Sequence, residues 1–193
     1  MINHINGKLI EKSPTHAVIE AAGVGYFINI SLNTYSKLGT KESCKLLTHL
    51  SIKEDAHTLF GFVEEEEREV FRKLISVSGV GASTARVMLS SLSPSEIATA
   101  IGSSNVGVLK AVKGIGAKTA ERIIIDLKDK INKIGGLESL SIPVQNSNQQ
   151  EASSALLALG FAKNSVDKIL NKIASNNSEL TVEGLIKEAL KQL

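Results

Sequence analysis

Two stretches of this sequence repeat one seven-residue pattern, and the residue types in it suit a single task, the holding of an anion by backbone amides. Gly79-Val80-Gly81-Ala82-Ser83-Thr84-Ala85 and Gly114-Ile115-Gly116-Ala117-Lys118-Thr119-Ala120 both read Gly-[Val/Ile]-Gly-Ala-x-Thr-Ala, 35 residues apart, and the likeness extends back to Leu74 and Leu109. The first glycine of each can take a positive φ and end the incoming helix. The second lets the backbone come close to another group. Val80 or Ile115, between them, plugs the core and pins the turn. The helix that begins after each turn presents its first N–H groups outward, a site for an anion. Lys118 adds a charge in the first turn of the second helix, and Arg122 lies one turn further on.

A lone Gly-x-Gly between helices is ordinarily a tight turn. Its repetition points instead to paired phosphate grips: Gly79, Val80, Gly81, Ala82 and Ser83 in the first, and Gly114, Ile115, Gly116, Ala117, Lys118, Thr119 and Arg122 in the second. Two such grips a fixed distance apart suit the regular phosphates of a duplex and carry no base specificity. The pattern is not the Gly-x-Gly-x-x-Gly of a dinucleotide site, and no P-loop sequence occurs.

Charge distribution agrees with this reading better than net charge does. The chain carries only +2 overall, but residues 105–136 hold seven bases (Lys110, Lys113, Lys118, Arg122, Lys128, Lys130, Lys133) against three acids. That surplus surrounds the second glycine turn and is the footprint a phosphate ligand requires. Two acidic features stand apart. Glu54 and Asp55 sit in Lys53-Glu54-Asp55-Ala56, which reads as a polar hairpin tip. Glu64 to Glu67 reads as a solvated helix start, favoured there by the helix dipole.

The elements that must position these residues fall into an ordered series. Residues 1–62 show five strand patterns, at His4–Lys12, His16–Ala21, Tyr26–Ser31, Lys45–Ile52 and Ala56–Phe62, separated by turn signals that include Asn33 to Gly39. With Gly25 and Gly61 at expected bends, they suggest a small closed sheet of the OB type, with an open meander as the rival. After Phe62 the period becomes helical: Glu64–Val77, Ala82–Leu92, Ser95–Ile101, Asn105–Val112 and Ala117–Ile134, stopped by Gly135-Gly136. Residues 140–149 read as a flexible polar linker. Beyond them lie three amphipathic helices, at Gln150–Leu159, Asn164–Ser175 and Thr181–Leu193, with Leu156, Leu157, Leu159, Phe161, Ile169, Ile173, Leu185 and Leu190 as their expected core.

With these elements in order, the sequence resembles the RuvA family, the junction-binding subunit of the bacterial branch-migration machine. Met1-Ile2 to Ile10, Gly23-Val24-Gly25-Tyr26, Glu54-Asp55-Ala56, Leu59-Phe60-Gly61-Phe62 and the run Gly114 to Arg122 all fall in the family's order, and the likeness covers the whole chain. It implies an α+β multidomain architecture: an N-terminal OB-type β-barrel for oligomerisation (1–63), a central all-α tandem helix-hairpin-helix domain that grips duplex (64–139), a mobile linker (140–149) and a C-terminal three-helix bundle (150–193) that touches a RuvB-type AAA+ motor. It implies a homotetramer on four-way (Holliday) junction DNA, with a second face-to-face tetramer left open, and allows a RuvC-type resolvase as a further partner. It also makes Glu54 and Asp55 an acidic pin at the junction centre, where carboxylates repel phosphates and help keep strands apart. The sequence departs from the family at Ser83, where members often carry lysine, so the first grip relies on backbone amides.

No catalytic residues, metal site or cofactor are expected. His4, His16, His49 and His57 lack ligand spacing, and no nucleophile elbow occurs. A DNA glycosylase shares the hairpin turn but needs a catalytic Asp in a Val-Asp-Thr-His-like segment beyond it; here that region is Gly135-Gly136-Leu137-Glu138-Ser139, and Asp126 and Asp129 read as surface charge. The remaining alternative is a general duplex or single-strand binding module, the latter stacking bases on Tyr26, Phe27, Tyr35, Phe60 or Phe62. One cysteine, Cys44, fits a reducing compartment, and the N-terminus has no signal-peptide pattern, so the expected location is cytoplasmic and not membrane-bound.

Overall fold

The computed structural model describes residues 2–39, 42–131, 144–176 and 180–192. Its contacts divide the chain into two compact units, Met1–Leu137 and Glu138–Leu193.

The first unit begins with five strands, β1 (His4–Lys12), β2 (His16–Ala21), β3 (Val24–Ile30), β4 (Ser43–Ile52) and β5 (His57–Phe62). They close into a barrel in the order β1-β2-β3-β5-β4, which decides against an open meander. All pairings are antiparallel except β3 with β5, where Ile28 faces Leu59 and Ile30 faces Gly61. Period-two alternation explains the interior: Ala17 and Ile19 of β2, Ile28 and Ile30 of β3 and Leu46 of β4 are buried in one cluster with Ile5 and Leu38. Gly25 and Gly61, expected at bends, lie within strands. Gly61 is required by close packing, since a Cβ there would fall 2.5 Å from Ile28 Cγ2.

Residues 33–39, expected as a turn, contain most of a short helix, α1 (Leu32–Lys37). Ser31 caps it by accepting from the Thr34 amide at 3.0 Å. Six residues are too few to show a helical period, so only the cap could have announced it.

Among the described residues, five helices follow in the unit: α2 (Glu65–Ile75), α3 (Ala82–Ser91), α4 (Pro94–Gly102), α5 (Val106–Lys110) and α6 (Ala117–Ile131). Ser93 opens α4 with a full capping box, its side chain accepting from the Glu96 amide while Glu96 accepts from the Ser93 amide at 2.7 Å. That backbone hydrogen bond is the main reason the Glu96 carboxyl lies below its ordinary range. Phe71, Leu74, Met88, Leu89, Ile97, Ile101, Leu109 and Ile123 form the core, and Phe60 and Phe62 of β5 belong to the same cluster. Their rings lie 5.1 and 5.0 Å from Phe71. The barrel and the helices are therefore fused through β5 and α2.

The acidic run at the start of α2 is solvated at Glu64 and Glu65, as expected, but its end takes part in this joint. Glu64 pairs with Lys37, and Glu65 pairs with Arg68. Glu67 is fully buried, accepting from the hydroxyls of Ser31 and Thr34, while Arg68, also buried, donates to Asn3 O at 2.9 Å and Asn3 Oδ1 at 2.8 Å. A fourth consecutive glutamate looks like surface, but at helical spacing Glu67 shares a face with Val70, Phe71 and Leu74.

The second unit is α7 (Val144–Ala158), α8 (Lys163–Asn176) and α9 (Val182–Leu190). Helix α7 starts six residues before Gln150, so residues 144–149 of the expected linker are helical; residues 140–143 and Gly135-Gly136 lie outside the described residues. Polar contacts that periodicity cannot register hold this turn: Asn148 Nδ2 donates to Leu180 O at 3.4 Å and Gln149 Nε2 to Asn171 Oδ1 at 2.7 Å. Gly160, at φ +97°, ends α7, and Thr181 caps α9 by accepting from the Gly184 amide at 3.3 Å. Leu156, Ile173 and Leu185 are buried and Phe161 and Ile169 pack against them. Leu157, Leu159 and Leu190, expected in the core, are exposed.

Burial pushes the Glu67 carboxyl above the usual range, against the opposing pull of the Ser31 and Thr34 hydrogen bonds and the Lys37 charge. A group raised on folding contributes stability that is complete below its unfolded value, about 4.3, and is lost as pH rises through the folded value. Glu67→Gln should therefore flatten the decline in stability above that pH, read as the difference between wild-type and variant urea midpoints across a pH series. Parallel curves would contradict this.

Candidate nucleic-acid interface

The two glycine turns have the same backbone. Gly79 and Gly114 lie at φ +92° and +91°, a conformation other residues rarely adopt. In each turn the next amide bonds back across it, Val80 N to Val77 O at 3.0 Å and Ile115 N to Val112 O at 3.1 Å. In each, the helix then begins with a glycine carbonyl, Ala85 N bonding to Gly81 O and Ala120 N to Gly116 O, both at 2.9 Å. Val80 and Ile115 are each 5% exposed, so both plugs are in place. Gly79, Gly81, Gly114 and Gly116 all face open space. The four glycines are therefore not there to relieve crowding.

Helix α3 starts at Gly81, which has no side chain to cap it, and no side-chain cap bond is made. The first-turn amides of α3 are thus left without a side-chain acceptor, at a helix N-terminus, which favours negative charge. The two turns share this backbone and the open space beside it.

Their side chains differ. Ser78 and Ser83 in the first turn match Lys113 and Lys118 in the second. Both lysines are exposed, as are Ser78 and Ser83. Arg122 is exposed and lies 3.8 Å from Asp126, a loose pair on the surface of α6. Of the other bases around the second turn, Lys128 donates to Ser104 Oγ at 2.9 Å, Lys110 and Lys130 are exposed, and Lys133 lies outside the described residues. The first repeat has its own cation, Arg86, which no sequence pattern marks. Its Nη1 donates to Thr15 O at 3.0 Å and to Asn29 Oδ1 at 3.1 Å, both on the barrel.

Glu54 and Asp55 occupy the turn between β4 and β5, closed by Lys53 N to Ala56 O at 2.9 Å. Both are exposed, and among the described residues neither is ion-paired. The histidines are dispersed. His16 bonds Glu11 at 2.9 Å and stacks on Phe27 at 4.5 Å. His49 packs edge-on to Phe71, and its imidazole is pushed below its ordinary range by burial and by Arg72 and Arg68. Among the described residues, no three His, Cys, Asp or Glu gather as a metal site, and no helix is long and apolar enough to cross a membrane. Of the five aromatics that could stack bases, Phe60 and Phe62 are buried, Tyr26 packs on the barrel core, Tyr35 lies under Lys12 Nζ at 4.6 Å, and Phe27 is exposed. That does not make a stacking platform.

The chain thus combines a closed five-stranded barrel fused to a tandem helix-hairpin-helix with a separate three-helix unit, a modular multidomain class. Three family models match in that order: RuvA N terminal domain over residues 1–61, SAM-like Helix-hairpin-helix tandem over 71–129, and RuvA, C-terminal domain over 147–193. Similar curated proteins are the Holliday junction branch migration complex subunits RuvA of Flavobacterium psychrophilum, 55% identical, and Christiangramia forsetii, 54% identical, each over the full length of both chains. The subunit of the same name from Bacteroides fragilis is 48% identical, again over the whole of both chains. The chain belongs to the RuvA family.

Proposed function

We propose that this chain binds four-way junction DNA without sequence specificity, as a homotetramer, and holds the junction open for a RuvB-type AAA+ motor in recombination and repair. The observation that carries the reading is the pair of glycine turns with matching backbone, each bordered by open space and leading into a helix. Gly79 to Ser83 and Gly114 to Thr119, with Arg122, take phosphates on a duplex arm. Backbone contacts of this kind position DNA and read no bases. The relatives' name, as subunits of a branch-migration complex, supports the junction as ligand and a motor as partner. The chain performs no catalysis of its own and works in the cytoplasm; a RuvC-type resolvase shares the bound junction.

The grips hold by different means. The first offers amides and the hydroxyls of Ser78 and Ser83; the second adds Lys113 and Lys118. Each cation placed on a phosphate releases roughly one counterion. Lys118→Ala should therefore lower the slope of log affinity against log salt by about one, and Ser83→Lys should raise it by about one. Duplex titrations across a salt series check both; an unchanged slope for Lys118→Ala would remove it from the interface.

Glu54 and Asp55 act as the acidic pin. Their position at an exposed tip, free of ion pairs among the described residues, leaves both charges available to repel phosphate at the junction centre. Neutralising them in Glu54→Gln/Asp55→Asn should preserve or strengthen DNA binding while reducing the preference for a four-way junction over duplex in gel-shift competition. Unchanged preference and unchanged migration would refute the pin.

The three-helix unit docks the motor, with the exposed Leu157, Leu159 and Leu190 as its apolar contacts. Removing residues 144–193, which takes out α7 with its helical N-terminal turn, should spare junction binding and abolish stimulation of the motor's ATPase. Stimulation by the truncated chain would refute this assignment.

A further inference from the structure

Helix α3, which carries the first grip, is fastened to the barrel in a way that α6, which carries the second, is not. Arg86 Nη1 reaches Thr15 O in the β1–β2 turn at 3.0 Å and Asn29 Oδ1 on β3 at 3.1 Å. Asn33 Nδ2, on α1, donates to Leu89 O and, at 3.0 Å, to Leu92 O at the end of α3. Ser90 Oγ accepts from the Leu32 amide at 3.1 Å. For α6, the described residues show no hydrogen bond or ion pair to the barrel; its Lys128 bonds Ser104 within the helical domain.

The Arg86 contact continues through the barrel. Asn29 uses its carbonyl oxygen for Arg86 and its amide for Leu59 O on β5, at 3.3 Å. Leu59 lies three residues beyond Ala56, where β5 leaves the turn that carries Glu54 and Asp55. One side chain, Asn29, therefore joins the helix of the first grip to the strand emerging from the acidic turn. A charged donor on two oxygens is stronger and more directional than a neutral pair. Thr15 O also accepts from the Ile30 amide at 3.1 Å, which fixes where Arg86 must point.

We propose that Arg86 is a positioning residue for junction recognition: through Asn29 it sets the first grip at a fixed place relative to the acidic turn. It acts on the register between two parts of the DNA site and does not touch DNA. The proposal rests on the glycine turns being phosphate grips and on Glu54-Asp55 being the pin. A plain duplex engages the grips alone and does not sense that register. A four-way junction must meet grip and acidic turn together, so it does.

The test compares Arg86→Ala, Arg86→Lys and Asn29→Ala in the full-length chain on linear duplex and on a synthetic four-way junction, with folding checked by urea midpoint. Arg86→Ala should leave duplex affinity within about threefold of wild type and its salt slope unchanged. Its preference for junction over duplex should fall by about tenfold, an ordinary size for coupling between two sites. Arg86→Lys, which keeps one donor for Asn29, should recover part of the preference. Asn29→Ala breaks the same path from the barrel side and should reproduce the loss, so it decides the matter if Arg86→Ala does not fold. A salt slope lowered by about one in Arg86→Ala would overturn the proposal by making Arg86 a phosphate contact. Equal loss on both DNAs, or full preference in a folded Asn29→Ala, would also overturn it. Absence of junction preference in the wild-type chain would instead overturn the reading beneath it.

Discussion

The first unit depends on one joint, the face that α2 shares between two cores. Phe71 stands where the barrel and the helices meet, with Phe60 and Phe62 of β5 against it. Burying an aromatic ring contributes about 1.5–3 kcal/mol, and paired rings add somewhat more, so this cluster supplies the adhesion. Adhesion between apolar faces does not set orientation. The buried polar groups on the same helix do: Glu67 on Ser31 and Thr34, and Arg68 on Asn3, tie α2 to fixed points of the barrel. An ion or carboxylate withdrawn from water gains little net stability, but a misplaced one costs several kcal/mol, which penalises every other docking angle. Because of this joint, the glycine turns and the acidic tip belong to one body.

The two halves of the repeat share a backbone and have diverged in where they place their cations. In the second half the charges stay on the surface around the turn. In the first, the turn is neutral and its nearby guanidinium is turned onto the barrel. Duplicated elements in one chain are under no obligation to stay equivalent, and here one copy surrounds its turn with charge while the other is fastened to the barrel.

Much of this is legible in the sequence. The barrel strands announce themselves by alternation, the longer central helices by period, and the glycine turns by repetition, because each signal is local and repeated. The positive φ of Gly79 and Gly114 and the burial of Val80 and Ile115 come directly from the pattern. The features that escape it are either too short or depend on partners distant in sequence. Helix α1 is six residues long. The first turns of α7 are polar and are held by Asn171 and Leu180. Glu67 reads as solvated because three glutamates precede it, and nothing local reveals Ser31 and Thr34 some thirty residues away. Arg86 is hidden for the same reason: its partners are on the barrel. The three leucines left exposed on the C-terminal unit show the converse, since helical period places an apolar residue on a face without saying whether that face is covered.

The two glycines of each turn meet different physical requirements. Gly79 and Gly114 adopt a backbone that side chains resist, so folding alone would preserve them. Gly81 lies at φ −82°, an ordinary value, and a Cβ at Gly81 or Gly116 would meet nothing within 4 Å. Alanine at either place would meet no clash, but as the N-cap of α3 Gly81 is favoured over alanine by the fold itself. Under the proposed function, the missing methyl groups would let a phosphate come closer to the backbone there.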